Sequence, residues 1–176
     1  MSFGRAALVA LWLCSAALAA PSRLHAADHP ERDPLGTRLR GATTEMNVLI
    51  ELGIRRSHTF ARLVDALRGT DVVVYLSAAK SLPRGIDGRL AFMTTAGGVR
   101  YLHAQVLDGL ALDDTIAIVA HELQHALEVA AHPEVRTAVQ LGALYERIGE
   151  RSLPNRFDTA AARLTGRRVR QELGSQ

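Results

Sequence analysis

The apolar positions of the first half of the chain predict two consecutive amphipathic helices. The segment TTEMNVLIELGIRRS has apolar residues at helical spacing and begins at Thr43 or Thr44, either of which could be its N-cap. A second apolar stripe follows Ser57, a favourable N-cap residue, and it ends at Gly69. The pattern therefore indicates two short helices, one directly after the other.

The pattern then changes to strand-like segments. The run DVVVYLSA is rich in β-branched residues, and GRLAFMTTAGGVRYLHAQVL reads as two strands joined across Gly97 and Gly98. In the last of these strands polar and apolar residues alternate, which predicts one more polar face. Together the three segments predict a short three-stranded antiparallel sheet.

Three further helices are predicted after the sheet. The first starts near Asp113 and Asp114, includes TIAIVAHELQHALEVA, and ends at about Ala131. Pro133 fits the first turn of the next, which ends at Gly149, and ERSLPNR connects it to a last helix, FDTAAARLTGRRVRQEL. This order predicts an α+β domain whose helices pack on one face of the sheet.

The N-terminal segment has the features of a secretory signal peptide. An apolar run from Ala6 to about Ala20 follows Arg5, and Ala17 and Ala19 have the spacing of a cleavage site. We therefore expect a signal peptide over residues 1–19, a disordered lead-in over 20–41 and one domain over 42–176. The mature protein would be periplasmic or secreted, and no other segment is long enough to span a membrane.

Composition removes several classes of function. The only cysteine, Cys14, lies inside the predicted signal, and bulky Leu13 before it is unlike a lipoprotein signal, so disulfide and thiol chemistry are not expected. The formal charge is only +3, and the arginine cluster GRRVRQEL suits a solvated helix face. We therefore expect no nucleic-acid partner.

The sequence HELQH within the long apolar helix predicts a metal site. His121 and His125 are four residues apart and share one helix face, while Glu122 lies about a third of a turn to the side. In zinc peptidases with H-E-x-x-H, the histidines bind Zn²⁺ and the glutamate is the general base. The alternative is a chance pattern whose histidines bond to carbonyl groups. The apolar surroundings favour the zinc interpretation, because a metal makes buried histidines favourable.

A catalytic zinc takes a third protein ligand. His132 has the wrong spacing for the extended metzincin pattern, so we expect a downstream carboxylate. The candidates are Glu128, Glu134, Glu146, Glu150 and Asp158.

The positions of these carboxylates favour one of them. Glu128 and Glu134 follow the motif too closely for the chain to turn back, and the arginines beside Glu146 indicate a solvated helix end. Asp158 lies in FDTAAARLTG, where Ala161, Ala162 and Gly166 leave a bare helix face that could approach the motif helix closely enough for a short carboxylate to reach the metal. The role of helix N-cap stays open as an alternative for Asp158.

The order of helix, sheet, HELQH helix and later acidic helix resembles the gluzincin metallopeptidases, in particular their minimal forms, over roughly residues 72–173. In that family the third ligand commonly begins an acidic-x-x-Ala pattern, which DTAA from Asp158 matches with Asp in place of the usual Glu. The resemblance also implies that the strand before the motif helix, residues 99–107, aligns a peptide substrate by strand addition.

These observations predict an exported zinc peptidase acting on a peptide or protein substrate, with Glu122 as its base. Tyr145, Tyr101 or His103 could stabilise the oxyanion, and each is equally explained by packing. The alternative is a noncatalytic zinc-binding or interaction module derived from a peptidase fold. Glu122 favours catalysis, since a purely structural site needs no base. A third possibility is a zinc hydrolase that acts on something other than a peptide, because the motif specifies an activated water but not the bond that it attacks.

Overall fold

The computed structural model describes residues 38–153 and 156–175. The expected signal peptide, residues 1–19, and residues 20–37 of the expected lead-in lie outside this part. The elements in chain order are β1 (Leu39–Gly41), α1 (Thr44–Arg56), α2 (His58–Arg68), β2 (Val72–Ala79), β3 (Gly88–Ala96), β4 (Val99–Leu107), α3 (Leu112–Ala130), α4 (Ala138–Ile148), β5 (Glu150–Leu153), β6 (Arg156–Asp158) and α5 (Ala160–Gly174). Among the described helices, none combines the length and apolar character needed to cross a membrane.

The α+β class is confirmed, but the three-stranded antiparallel sheet is wrong. Within the described residues the main sheet has four strands in the order β1-β2-β4-β3, with β2 parallel to both β1 and β4. Strands β3 and β4 form the expected antiparallel hairpin across Gly97 and Gly98, both at positive φ. The loop of residues 80–87 carries the chain past one strand position, so β3 takes the sheet edge and β4 pairs with β2.

Strand β1 lies within the segment expected to be disordered, so that expectation is wrong for residues 39–41. Leu39 is fully buried, and β1 pairs with the outer edge of β2. Three residues are too few to show an alternating pattern, which explains why the sequence did not reveal this strand.

The helix caps agree with the sequence in the first half of the chain. The side chains of Thr43 and Ser57 cap α1 and α2, and Gly69 is the C-cap of α2. Pro133 does not start a helix, because α4 begins after its N-cap Thr137. The segment expected to be a plain connection contains most of the hairpin of β5 and β6.

Helix α3 packs on the sheet face that carries Leu102, Ala104 and Val106, and both of its ends are held by arginines. At its start, Arg56 pairs with Asp113, with 2.6 Å between Nη1 and Oδ1. At its end, the fully buried guanidinium of Arg100 donates to the carbonyl oxygens of Val129 and His132, at 2.7 and 2.8 Å. The central residues of α3 are thereby fixed over the sheet.

Candidate metal centre

Two histidines of α3 direct the same ring atom toward one point. The Nε2 atoms of His121 and His125 are 3.1 Å apart, and their rings meet edge to face with centroids separated by 4.8 Å. His125 is buried, with 7% of its surface exposed, and His121 is partly exposed. The expected shared helix face is therefore present.

Asp158, the last residue of β6, completes the group. Its Oδ1 lies 3.3 Å from Nε2 of His121 and 3.4 Å from Nε2 of His125. This oxygen is buried, yet it forms no hydrogen bond of acceptable geometry within the described chain. The three side chains form a group that could hold a metal ion. Helix capping by Asp158 is excluded, because Thr159 is the N-cap of α5.

Helix α5 packs closely against α3 at Gly166. A Cβ atom added to Gly166 would lie 3.3 Å from the carbonyl oxygen of Ala117 and 3.5 Å from Cβ of His121. Ala162 is fully buried, as expected for the close face, whereas Ala161 is exposed. A larger residue at 166 would push α5 away from the histidines.

Glu128 supports His125 from the side opposite the metal group. Its Oε2 lies 2.9 Å from Nδ1 of His125, and its Oε1 accepts a hydrogen bond from the Thr159 hydroxyl at 2.6 Å. Thr159 in turn accepts from the backbone N–H of Ala162 at the start of α5. One chain of hydrogen bonds thus links His125 to the segment that carries Asp158.

These contacts shift the pKa values of His125 and Asp158. Burial alone would lower the pKa of His125, but the carboxylates of Asp158 and Glu128 outweigh it and raise that pKa to about 9. Burial would raise the pKa of Asp158, yet contact with His121 and His125 holds it well below its usual range. In the absence of metal, the pair at neutral pH therefore consists of a protonated His125 and an ionised Asp158.

Glu122 follows His121 and is 4% exposed. Burial raises its pKa, and the nearby histidines oppose that shift. Strand β3 passes beside it at Gly88, where an added Cβ atom would lie 2.7 Å from Oε1 of Glu122 and 2.5 Å from Cγ2 of Ile118. Glycine at this position leaves the space that the carboxylate occupies.

The metal group and Glu122 lie at an open cleft of about 850 Å³. Residues from β3, α3, α4, β5, β6 and α5 line it, including His121, Glu122, His125 and Asp158. Tyr145 also lines the cleft, but its hydroxyl donates to the carbonyl oxygen of His125 at 3.0 Å. Burial, followed by the nearby carboxylates, raises the pKa of Tyr145.

The other candidate ligands are not part of the group. Glu134 is exposed beside His132 and Arg147, and Glu150 pairs with Arg163. Glu146 is exposed at the cleft wall and is not among the clustered ligand residues.

The structure bears on two further proposals about the sheet. Two of the open oxyanion candidates are absent from the described lining of the cleft: Tyr101 stacks on Tyr75, and His103 bonds to Ser77 at 2.8 Å. Strand β4 is paired on both sides and has no free edge for a substrate strand. The sheet edge that reaches the cleft belongs to β3, through residues 88–90.

Sequence reasoning considered Glu128 only as a metal ligand and missed its support of His125, and it missed Thr159 and Gly88. The spacing of three residues from His125 to Glu128 was a usable signal, because such residues are neighbours on a helix surface. Gly88 had no comparable signal, since its role depends on how β3 crosses α3.

Comparison with known proteins finds no matching protein family, no similar curated protein and no similar solved structure.

Proposed function

We propose that this chain is an exported, zinc-dependent peptidase of the minimal gluzincin type. The observation that carries the proposal is the joint position of three donor atoms and a carboxylic base at one open cleft. His121, His125 and Asp158 supply the donors, and Glu122 lies one residue along the same helix.

The spacing of the donor atoms supports zinc. Zinc in proteins is tetrahedral with bonds of roughly 2.0–2.1 Å to nitrogen and oxygen, so its donor atoms are about 3.3–3.4 Å apart. The three separations here are 3.1, 3.3 and 3.4 Å. The buried, unbonded Oδ1 of Asp158 also suits a ligand atom, because a metal would satisfy it.

When bound, zinc would polarise a scissile carbonyl and lower the pKa of a water molecule to about 7. Glu122 would accept the proton of the attacking water at its carboxylate and deliver it to the leaving amine. Burial favours this role, because it raises the pKa of Glu122 and makes the carboxylate a stronger base. Gly88 keeps the adjacent strand from displacing this carboxylate.

The cleft suits an extended peptide. Strand β3 is the sheet edge that lines the cleft, and its outer side pairs with no strand of the described chain. A substrate segment could add to this edge through backbone hydrogen bonds. In this proposal β3 takes the role that the resemblance to gluzincins implied for β4.

The rival function is a noncatalytic zinc-binding module. Closed structural zinc sites have four protein ligands. Only three donors cluster within residues 38–153 and 156–175, and they face an open cleft, so a position is left for water or substrate. This arrangement favours catalysis over a purely structural site.

The variant Glu122→Gln tests the proposal. We expect it to retain about one zinc per chain and to lose about 100-fold to 10,000-fold in peptide hydrolysis, because the amide cannot act as a base. Elemental analysis and cleavage of a mixed peptide library would measure both. His121→Ala combined with His125→Ala should remove the zinc, whereas the control His132→Ala should not. Full hydrolysis by Glu122→Gln would overturn the proposal.

Export is tested separately. N-terminal sequencing of the exported protein should show a start near Ala20, after removal of the predicted signal. A mature chain that still begins at Met1 would contradict export without affecting the peptidase proposal.

A further inference from the structure

Helix α5 presents a row of three arginines to the cleft. Arg163, Arg167 and Arg170 are spaced by four and three residues, so they share one side of the helix, and all three line the cleft. The row lies next to the metal group, because Gly166 is packed against His121.

The outer two arginines already have acidic partners. Arg163 donates to Glu150 at 2.5 Å and lies 3.8 Å from Oδ2 of Asp158. Arg170 donates to Asp114 at 2.9 Å. Arg167, between them, has neither a hydrogen bond nor an ion pair to any residue of the described chain.

Arg167 gives the α5 wall of the cleft an unpaired positive charge. Among the described residues that line the cleft, five are arginines and four are carboxylates, but Arg163 and Arg170 are paired with Glu150 and Asp114 just beyond the lining. A bound divalent cation would add further positive charge. A guanidinium with free N–H donors binds a carboxylate through two parallel hydrogen bonds, so an anionic ligand suits this wall.

We propose that Arg167 binds a carboxylate of the substrate, so that the cleft prefers peptides with an acidic group close to the scissile bond. This inference rests on the proposed function, since it names the substrate class of the same site. The carboxylate could belong to an Asp or Glu side chain or to a peptide C-terminus. Both present the same planar anion.

The neighbouring residue Arg168 provides a matched control. It is also exposed, but it lines a separate groove with Thr59 and Arg62 on another side of α5. Replacing either arginine by glutamine removes the same charge from the same helix turn. Only the change at 167 removes a guanidinium from the cleft.

The experiment compares binding of four labelled peptides that share one core sequence. One is neutral and capped at both ends, one contains Glu, one has a free C-terminal carboxylate, and one contains Lys. Zinc-loaded Glu122→Gln protein is used so that the peptides survive, alone or combined with Arg167→Gln or Arg168→Gln. Fluorescence anisotropy gives each Kd.

We expect at least one acidic peptide to bind about threefold to tenfold more tightly than the neutral one, and the Lys peptide to bind least tightly. The ratio of the Kd of the neutral peptide to that of the acidic peptide should be unchanged with Arg168→Gln and should fall to about one with Arg167→Gln. It should also decrease at high salt. A preference for the Glu peptide would identify a side-chain carboxylate, and one for the free acid would identify the chain end.

Equal binding of neutral and acidic peptides, absence of binding by all four, or a preference that survives Arg167→Gln would each overturn the inference. Hydrolysis by the wild-type protein is measured in parallel with the same peptides. Acid-selective binding without any hydrolysis would contradict the peptidase proposal alone, whereas hydrolysis without acid preference would contradict only the role of Arg167.

Discussion

Glu128 and Asp158 contact opposite nitrogens of the His125 ring. Nδ1 lies 2.9 Å from Oε2 of Glu128, and Nε2 lies 3.4 Å from Oδ1 of Asp158. A hydrogen on Nδ1 that is donated to Glu128 leaves the Nε2 lone pair directed at the group formed with His121. This carboxylate to histidine contact is the usual way in which proteins orient a metal-binding imidazole.

Replacing Glu128 by glutamine should weaken zinc binding about 10-fold to 100-fold, because the orientation and basicity of His125 depend on the carboxylate. Competition with a chelator would measure the dissociation constant. Glu134→Gln is the control, since Glu134 is exposed beside His132. An unchanged zinc affinity in Glu128→Gln would show that His125 is oriented by packing alone.

Asp158→Ala should raise the zinc dissociation constant by about 100-fold or more, because it removes one of three protein ligands. The matched control is Glu150→Ala, which removes a nearby carboxylate that pairs with Arg163 outside the group. The same chelator competition applies. If the two variants bound zinc equally well, Asp158 would not be a ligand.

Zinc affinity should rise with pH. The pKa of His125 is raised to about 9 in the metal-free protein, so zinc must displace a proton below that pH. We expect about a tenfold gain in affinity per pH unit from pH 7 to 9, and a plateau above it. Metal-buffered titrations at several pH values would reveal the slope, and a flat profile would contradict the raised pKa.

The same shift affects the stability of the metal-free protein. A raised pKa means that the folded state holds the proton more tightly than the unfolded state, whose histidine has a pKa of about 6.5. This contribution is complete below pH 6.5 and is lost as the pH rises through 9. The metal-free protein should therefore lose thermal stability over that interval.

Arg100→Met should lower the free energy of unfolding by about 3–5 kcal/mol. The change leaves Asp71 without its buried partner and the last carbonyl groups of α3 without donors. Urea unfolding would measure the difference. Arg89→Met, which breaks an exposed bond to Gln105, should change stability by less than about 0.5 kcal/mol. A stable Arg100→Met protein would contradict the structural role of this guanidinium.

Local patterns were sufficient to predict most helices, because periodicity and caps are encoded within a few residues. Ser57 and Gly69 bound α2 as expected, and α3 contains the whole motif. The sheet order could not be predicted in the same way. The choice of β4 rather than β3 as the neighbour of β2 depends on long-range packing, which a short sequence window does not contain.

The residues of the candidate site also fall into those that local sequence predicts and those that depend on long-range packing. His121, Glu122 and His125 follow from one helical spacing, and Asp158 from the small residues that follow it together with a match to a known pattern. The unbonded Oδ1 of Asp158 and the close approach of Gly88 depend on where β6 and β3 cross α3, so only the three-dimensional structure reveals them.

The two arginine anchors of α3 also bear on which ion the site accepts. Arg56 and Arg100 hold the ends of the helix, so the separation of His121 and His125 is set when the protein folds. Asp158 is placed beside the two histidines by β6 and by the hydrogen bond from Thr159 to Glu128, so all three donor atoms are positioned by the fold. Ca²⁺ needs six to eight oxygen ligands at about 2.3–2.6 Å, so it is too large and too demanding for this triangle of donor atoms. The close spacing of the three donors thus acts as a size filter, and loosening either α3 or the bond between Thr159 and Glu128 should reduce discrimination between ions before it abolishes binding.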